Sequence, residues 1–182
     1  MEPPHPIYTI GHSTRSILQF VELLRIGNVE TVVDIRSMPR SGTNPQFNFD
    51  ALPQELAPSQ IGYTQIGELG GRRRKSTTIA PDVNSFWTHQ SFHNYADHAL
   101  SDEFHAGLTR LLELSALQRC AIMCSEALWW RCHRRIVADY LLHNGRSVFH
   151  LMSPAHPAPA LLTKAAMAQG ASLVYPAIQA LV

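Results

Sequence analysis

The stretch RCAIMCSEALWWRCHRRIVADYLL, residues 119–142, decides the fold class. It opens with a short apolar run that ends at Cys124, as a strand buried on both faces would. After a polar turn, residues 129–142 carry apolar side chains at helical spacing, with Ile136 and Tyr140 on the predicted buried face. A buried strand that leads through a turn into an amphipathic helix is the repeating unit of a parallel sheet covered by helices.

The same alternation of strand and helix extends outward in both directions. The predicted strands cover residues 7–10, 30–35, 61–66, 119–124 and 147–152. The predicted helices run from Ser13 or Thr14 to Gly27, and over residues 50–56, 101–117, 129–142 and 159–169. A long loop is predicted over residues 67–90. We therefore predict a three-layer, doubly wound α/β fold, with a mainly parallel sheet of about five strands, helices on both faces and the strand order left open.

The length of 182 residues suits one well-packed domain and is short for two. We expect a single α/β domain over residues 1–182, with its core at 7–152 and a C-terminal helix and tail at 153–182. The 45% hydrophobic and 16% charged content is typical of a globular protein and excludes wholesale disorder. A formal net charge of +1 lacks the strong basic bias of a dedicated nucleic-acid binder.

The cysteines and the first residues of the chain bear on the compartment. Cys120, Cys124 and Cys132 are odd in number and crowded together, unlike the spread and even set of a secreted disulfide framework. Residues 1–6 are proline-rich and acidic rather than a basic leader, and no apolar stretch is long enough to span a bilayer. These patterns predict a cytoplasmic protein with reduced thiols, no disulfide and no membrane segment.

Chemically capable residues follow four of the five predicted strands, at the point where each strand ends. They are His12 after the first strand, Asp34 and Arg36 after the second, Glu68, Gly70, Gly71 and Arg72 after the third, and Cys124 and Glu126 after the fourth. Because the carboxyl ends of parallel strands meet at one edge of a sheet, we expect these groups to surround a single cleft. Each has a simpler explanation when taken alone: Asp34 and Arg36 would pair with each other, and the two glycines would serve only positive φ.

Cys124 stands at a predicted strand-to-helix junction, near backbone N–H groups that stabilise a thiolate and lower its pKa. Arg131 and His133 would add positive charge beside it, whereas the carboxylate of Glu126 would raise the pKa of the thiol, and the spacing leaves the net direction open. The alternative is that Cys124 is a small buried hydrophobe. Cys132 shares a helical face with Ile136 and is predicted to lie in the core. Metal binding is the weaker alternative: suitable ligands are present in Cys124, Glu126, Cys132, His133 and His12, but without a Cys-x2-Cys or His-Glu-x2-His motif no metal site is predicted.

Several motifs together resemble one known family. They are Gly11-His12-Ser13-Thr14, Val33-Asp34-Ile35-Arg36 with Pro39-Arg40, Asn44-Pro45-Gln46-Phe47-Asn48, Glu68-Leu69-Gly70-Gly71, and Met123-Cys124-Ser125-Glu126 followed by Arg131-Cys132-His133-Arg134. In this order, over roughly residues 7–152, the chain resembles the domain of unknown function 488 family. The resemblance implies an α/β fold and a shared site, and it implies no particular reaction. Trp129-Trp130 departs from the proline-aromatic pair common in the family, a difference that bears only on local loop shape.

The first functional hypothesis is an enzyme that acts on an anionic small molecule or a nucleotide-like substrate. Cys124 would be the nucleophile or redox thiol, and Glu126 or His12 the proton carrier. Asp34 would orient His12 or an arginine. The remaining candidates, for ligand binding, are Arg36, Glu68, Gly70, Gly71, Arg72, Arg131 and His133.

Two other classes of function stay open. In a nucleic-acid-associated module, the basic run at residues 72–75 would contact phosphates, while Phe47 and Trp87 would stack on bases. In a non-catalytic binding domain, the same pocket would hold a ligand without reaction. The sequence identifies no cofactor and no oligomeric state.

Overall fold

The computed structural model describes residues 4–178, so both ends of the predicted 1–182 domain lie outside the described residues. The sheet consists of β1 (Ile7–Gly11), β2 (Thr31–Asp34), β3 (Gly62–Gln65), β4 (Cys120–Cys124), β5 (Val148–Leu151) and β6 (Ala158–Pro159). Its strand order is β3-β2-β4-β1-β5-β6. The first five strands are parallel, and only β6 is antiparallel to its neighbour. The predicted mainly parallel sheet is confirmed, and β4 lies between β2 and β1.

Helices cover both faces of the sheet, which confirms the three-layer α/β fold. They are α1 (Ile17–Ile26), α2 (Leu52–Leu56), α3 (Gln90–His98), α4 (Asp102–Leu117) and α5 (Arg134–His143). Successive strand residues point to opposite faces. Val32 accordingly packs in the core under α1 and α2, whereas Val33 packs in the core under α3, α4 and α5. No helix among residues 4–178 is both long and apolar enough to cross a membrane.

The ends of the helices agree only partly with the prediction. Ser101 caps α4 as predicted, because its hydroxyl accepts the N–H of the third helical residue. Ser16 caps α1, rather than Ser13 or Thr14, and forms a reciprocal capping box with Gln19. Ser13 instead has a φ of 48°, which places it in a turn between β1 and the helix.

The predicted C-terminal helix over residues 159–169 is wrong. The segment instead supplies the edge strand β6 and then a hairpin of β7 (Met167–Gln169) and β8 (Ser172–Val174). Gly170, at a φ of 61°, lies in the hairpin turn rather than after a helix. Tertiary contacts override the helical composition here, because buried Asp139 of α5 accepts the N–H of Thr163 and the hydroxyl of Tyr175.

Two further elements differ from the sequence prediction. The helix predicted from residue 129 begins at Arg134, after a 3₁₀ turn over Trp129–Arg131. Between them Cys132 has extended backbone angles, with φ at −126° and ψ at 148°. The helix α3, which follows the loop of residues 67–90, was not predicted.

Candidate functional site

The candidate site lies at the point where the chain leaves two neighbouring strands in opposite directions. From β1 the chain passes to α1 on one face, and from β4 it passes to α5 on the other, which is the usual place for a ligand in this class of sheet. The loops stay paired beyond the strands, since His12 N–H donates to Cys124 O at 2.9 Å and Ser13 N–H donates to Ser125 O at 2.9 Å. A Cβ on Gly11 would lie 1.9 Å from the carbonyl oxygen of Glu126, so only glycine fits there.

A cleft of about 530 Å³ opens at this edge, a volume within the usual range for small-molecule sites. The predicted site residues on its wall are His12, Arg36, Gly71, Arg72, Cys124, Glu126, Arg131 and His133. The wall also contains Arg40 and Cys132. Of its four arginines, Arg36 and Arg40 are paired with aspartates, so the positive charge of the wall comes from Arg72 and Arg131, against the carboxylate of Glu126.

Asp34 lies behind the wall and holds Arg36 in place. Its carboxylate accepts the Nε–H of Arg36 at 2.9 Å and the Nη2–H at 2.5 Å, and it also accepts the Tyr63 hydroxyl at 2.8 Å. Both members of the ion pair are buried, with 0% of Asp34 and 6% of Arg36 exposed. Burial opposes the charge of Arg36, but the hydrogen bonds that it donates to Asp34 and the negative charge of that carboxylate raise the pKa of the guanidinium on balance. Asp34 thus orients an arginine rather than His12.

Both ring nitrogens of His12 have hydrogen-bond partners, and the ring is stacked on an aromatic side chain. Its Nδ1 lies 2.9 Å from Ser13 O, so this nitrogen carries the proton, and its Nε2 accepts from Arg36 Nη1 at 3.1 Å. The ring stacks on Phe47 with centroids 4.4 Å apart. Burial lowers the pKa of His12 to about 4. A neutral imidazole with both nitrogens bonded positions Arg36, and it is poorly placed to carry a proton.

Of the predicted site residues that follow β3, Gly71 and Arg72 line the cleft, whereas Glu68 and Gly70 do not. The carboxylate of Glu68 points to Arg110 Nη1, at 2.6 Å, and not into the cleft. Gly70 and Gly71 are required by close approach, not by positive φ: a Cβ at these positions would lie 2.4 Å from Ser37 Oγ and 2.4 Å from His133 Nδ1, respectively. Gly71 therefore leaves the space that His133 occupies.

Two cysteines and one histidine meet at the floor of the cleft. His133 Nδ1 lies 3.9 Å from Cys124 Sγ and 3.6 Å from Cys132 Sγ. The three atoms all lie within 4.8 Å of one another. We call these residues the Cys2His cluster. The extended backbone at Cys132 turns its sulfur toward Cys124, and the prediction that Cys132 packs with Ile136 on a helical face is wrong.

The two thiols of the cluster differ in their electrostatics. The pKa of Cys124 is raised to about 12 by its hydrogen bond to Cys132 and by burial. Burial acts the same way on Cys132, but its pKa falls to about 6 because Cys124 and Arg134 donate to its sulfur. Arg134 contributes its backbone N–H at 3.5 Å and its Nε–H at 3.3 Å. These contacts favour a thiolate at Cys132 rather than at Cys124.

Two aromatic side chains that were expected to stack on bases, and two charged side chains of α5, are held by contacts within the protein. Phe47 is fully buried and only 6% of Trp87 is exposed, so neither can stack on a base. Asp139 accepts hydrogen bonds from Thr163 and Tyr175, and not from Arg135, which is four residues before it on α5. Arg135 instead lies over the Trp87 ring, with 4.8 Å to the centroid. Burial raises the pKa of Asp139 to about 6.

The fold and the cleft define an α/β protein with an arginine-lined and cysteine-containing site at the carboxyl edge of a parallel sheet. The model of the family Domain of unknown function DUF488 matches residues 16–141, and the chain belongs to this family. No curated protein and no solved structure matches the chain. The family resemblance expected from the sequence motifs is therefore confirmed.

Proposed function

We propose that the protein is an enzyme that binds an anionic small molecule in the cleft, through a phosphate or carboxylate group. The observation that carries the proposal is the excess of arginines on the cleft wall. Arg72 and Arg131 are exposed and form no ion pair within residues 4–178, so their charge is available to a ligand. Guanidinium groups match the geometry of phosphate and carboxylate oxygens.

Hydroxyl groups on the wall support the same class of ligand. The residues that line the cleft together with the arginines include Ser13, Thr14, Ser37, Ser41, Ser91 and Ser125. Hydroxyls donate hydrogen bonds to oxyanions without adding charge. A cleft with this composition suits a ligand whose anionic group lies near Arg72 and Arg131 while its polar body contacts the hydroxyls.

Glu126 is the proton carrier in this proposal. It is the one carboxylate on the cleft wall, and one of its oxygens accepts the Leu128 N–H at 3.1 Å, which fixes the side chain. His12 is excluded from that role by its two hydrogen bonds. Cys124 lies against His133 and Cys132 in the Cys2His cluster, so we assign it no separate nucleophile role.

The binding part of the proposal is tested with substitutions that remove one charge each. Inorganic phosphate and a panel of nucleoside phosphates and sugar phosphates are titrated into metal-free protein by calorimetry. Arg72→Gln and Arg131→Gln should each raise the dissociation constant roughly 10–150-fold, since a charge-assisted hydrogen bond contributes about 1.5–3 kcal/mol. Arg74→Gln is the matched control, because Arg74 belongs to the same basic run but does not line the cleft.

Glu126→Gln separates catalysis from binding. Removing a negative charge from the wall should leave anion binding unchanged or tighten it, while any turnover found in the panel is lost. Equal weakening by Arg74→Gln and Arg72→Gln would contradict the proposal, because the basic run would then act as a unit outside the cleft. A dissociation constant that is unchanged in all three arginine variants would contradict the proposal as well.

A further inference from the structure

The three groups of the Cys2His cluster are the side chains that zinc and similar ions prefer. Thiolate and imidazole are soft or borderline ligands, and Cys2His is one of the donor sets of catalytic zinc sites. Cys124 and Cys132 are both buried, with 8% and 4% exposed, yet both line the cleft together with His133. The cluster is thus shielded from bulk water on most sides and open on one.

The tautomer of His133 favours metal binding through Nδ1. Its Nε2 lies 3.0 Å from the carbonyl oxygen of Ile35, which can only accept, so Nε2 carries the proton. The lone pair of Nδ1 is therefore directed at the sulfurs of Cys124 and Cys132. Histidines that bind metals usually donate their other N–H to a backbone carbonyl or carboxylate, because this bond fixes the ring and raises its basicity.

The distances agree with a tetrahedral ion. Zinc bonds of about 2.3 Å to sulfur and about 2.0 Å to nitrogen give a sulfur-to-nitrogen separation of roughly 3.5 Å in a regular tetrahedron. The observed separations from His133 Nδ1 are 3.6 Å to Cys132 Sγ and 3.9 Å to Cys124 Sγ. Movements of a few tenths of an ångström would bring both nitrogen-to-sulfur separations to the tetrahedral value, and the two sulfurs already lie within 4.8 Å of each other.

The neighbours of the cluster support ligation as well. Two N–H groups of Arg134 point to Cys132 Sγ, at 3.3 and 3.5 Å, as they would to a bound thiolate. Gly71 leaves the space that the ring of His133 fills, since a Cβ there would lie 2.4 Å from Nδ1. These contacts hold two of the three candidate ligands in the positions that an ion requires.

We propose that Cys124, Cys132 and His133 bind one zinc ion, with the fourth coordination position open to the cleft. A closed structural site would have four protein ligands, whereas three ligands and an open face are the arrangement of catalytic zinc. A water or an oxygen of the anionic ligand would take the open position. The metal site stands on its own geometry and does not require the anion-binding function.

Metal binding is tested with cobalt(II) and zinc(II) on the full chain, reduced and freed of metal with a chelator. Cobalt should bind one ion per chain with thiolate-to-metal charge transfer and the strong visible bands of a tetrahedral site, and zinc should displace it. Cys124→Ser, Cys132→Ser and His133→Gln should abolish or strongly reduce these bands. Cys120→Ala is the matched control, because Cys120 is a buried cysteine of the same strand that lies outside the cluster.

One further substitution tests the cluster without removing any of its three proposed ligands. Gly71→Ala should weaken cobalt binding about 10-fold or more by displacing His133, in line with the effect of losing an outer contact. Circular dichroism establishes that each substituted protein is folded. Should a ligand variant fail to fold, the cobalt spectrum of the unsubstituted protein still decides, because thiolate charge transfer must be present.

Three outcomes would overturn the proposal: absence of charge transfer in the unsubstituted protein, unchanged bands in all three ligand variants, or equal loss in Cys120→Ala. Octahedral cobalt bands without charge transfer would indicate a carboxylate or surface site. Since the anion titrations use metal-free protein, failure here leaves the arginine results interpretable by themselves.

Discussion

The buried ion pair between Asp34 and Arg36 makes a prediction whose magnitude follows from the structure. Asp34→Asn keeps the shape of the side chain but leaves the guanidinium of Arg36, 6% exposed, without a counter-charge. Breaking a buried pair by removing one partner costs about 3–5 kcal/mol of unfolding free energy. For a chain of this length that loss lowers Tm by roughly 6–20 °C.

The protein contains its own control for this substitution. Arg40 and Asp50 form a second arginine–aspartate pair, at 3.2 Å, but 62% and 53% of these side chains are exposed. An exposed pair contributes about 0–1 kcal/mol, so Asp50→Asn should leave Tm nearly unchanged. Urea unfolding followed by circular dichroism gives the free energy of both variants under identical conditions.

A double substitution distinguishes loss of the counter-charge from loss of packing. In Asp34→Asn combined with Arg36→Met, no buried charge remains, so the double variant should be less destabilised than the sum of the single variants predicts. The reasoning is refuted if Asp34→Asn and Asp50→Asn differ by less than about 1 kcal/mol, or if the two substitutions at the buried pair are additive.

Three shorter predictions follow from other buried contacts. Gly11→Ala should destabilise the fold and weaken anion and cobalt binding together, because its Cβ would collide with the backbone of Glu126; denaturation and the two titrations measure this. Burial lowers the pKa of His150 to about 4, so the stability that neutral His150 contributes above pH 6.5 is lost as pH falls through 4. In urea unfolding at a series of pH values, His150→Phe should reduce the loss of unfolding free energy in acid by about 3 kcal/mol. Burial raises the pKa of Asp139 to about 6, so the stability that the protonated carboxyl contributes below pH 3.8 is lost as pH rises through 6. In the same assay, Asp139→Asn should remove a pH dependence of the unfolding free energy that is similar in size to that of His150 and opposite in sign.

Most of the sheet and the place of the site could be predicted from the sequence. Short apolar runs that end at Gly11, Asp34 and Cys124 indicate parallel strands, and parallel strands bring their carboxyl ends to one edge. That reasoning needs no strand order. The order itself depends on β4 pairing between β2 and β1, a long-range choice that local patterns do not encode.

The errors have a common physical cause, which is that tertiary contacts decide between local alternatives. Residues 159–169 have a helical composition, but Asp139 binds Thr163 and Tyr175, and these bonds draw the segment into extended structure. Cys132 has helical spacing to Ile136, but the 3₁₀ turn before it changes the direction of its side chain. In the Cys2His cluster, Cys132 and His133 follow Cys124 by eight and nine positions and are brought to it by that turn, so no short sequence motif indicates the cluster.

Arg134 shows why the cluster is more than a packing arrangement. Its side chain is 1% exposed and forms no ion pair within residues 4–178. It is also the first residue of α5, at the helix end where the dipole disfavours a cation. A buried charge without an ion pair and a cation at a helix N-terminus are both unfavourable, and such conflicts concentrate at functional sites. The guanidinium of Arg134 donates to the sulfur of Cys132 and to the carbonyl oxygen of Glu126. This buried charge therefore links one proposed metal ligand to the loop that carries the proposed proton carrier.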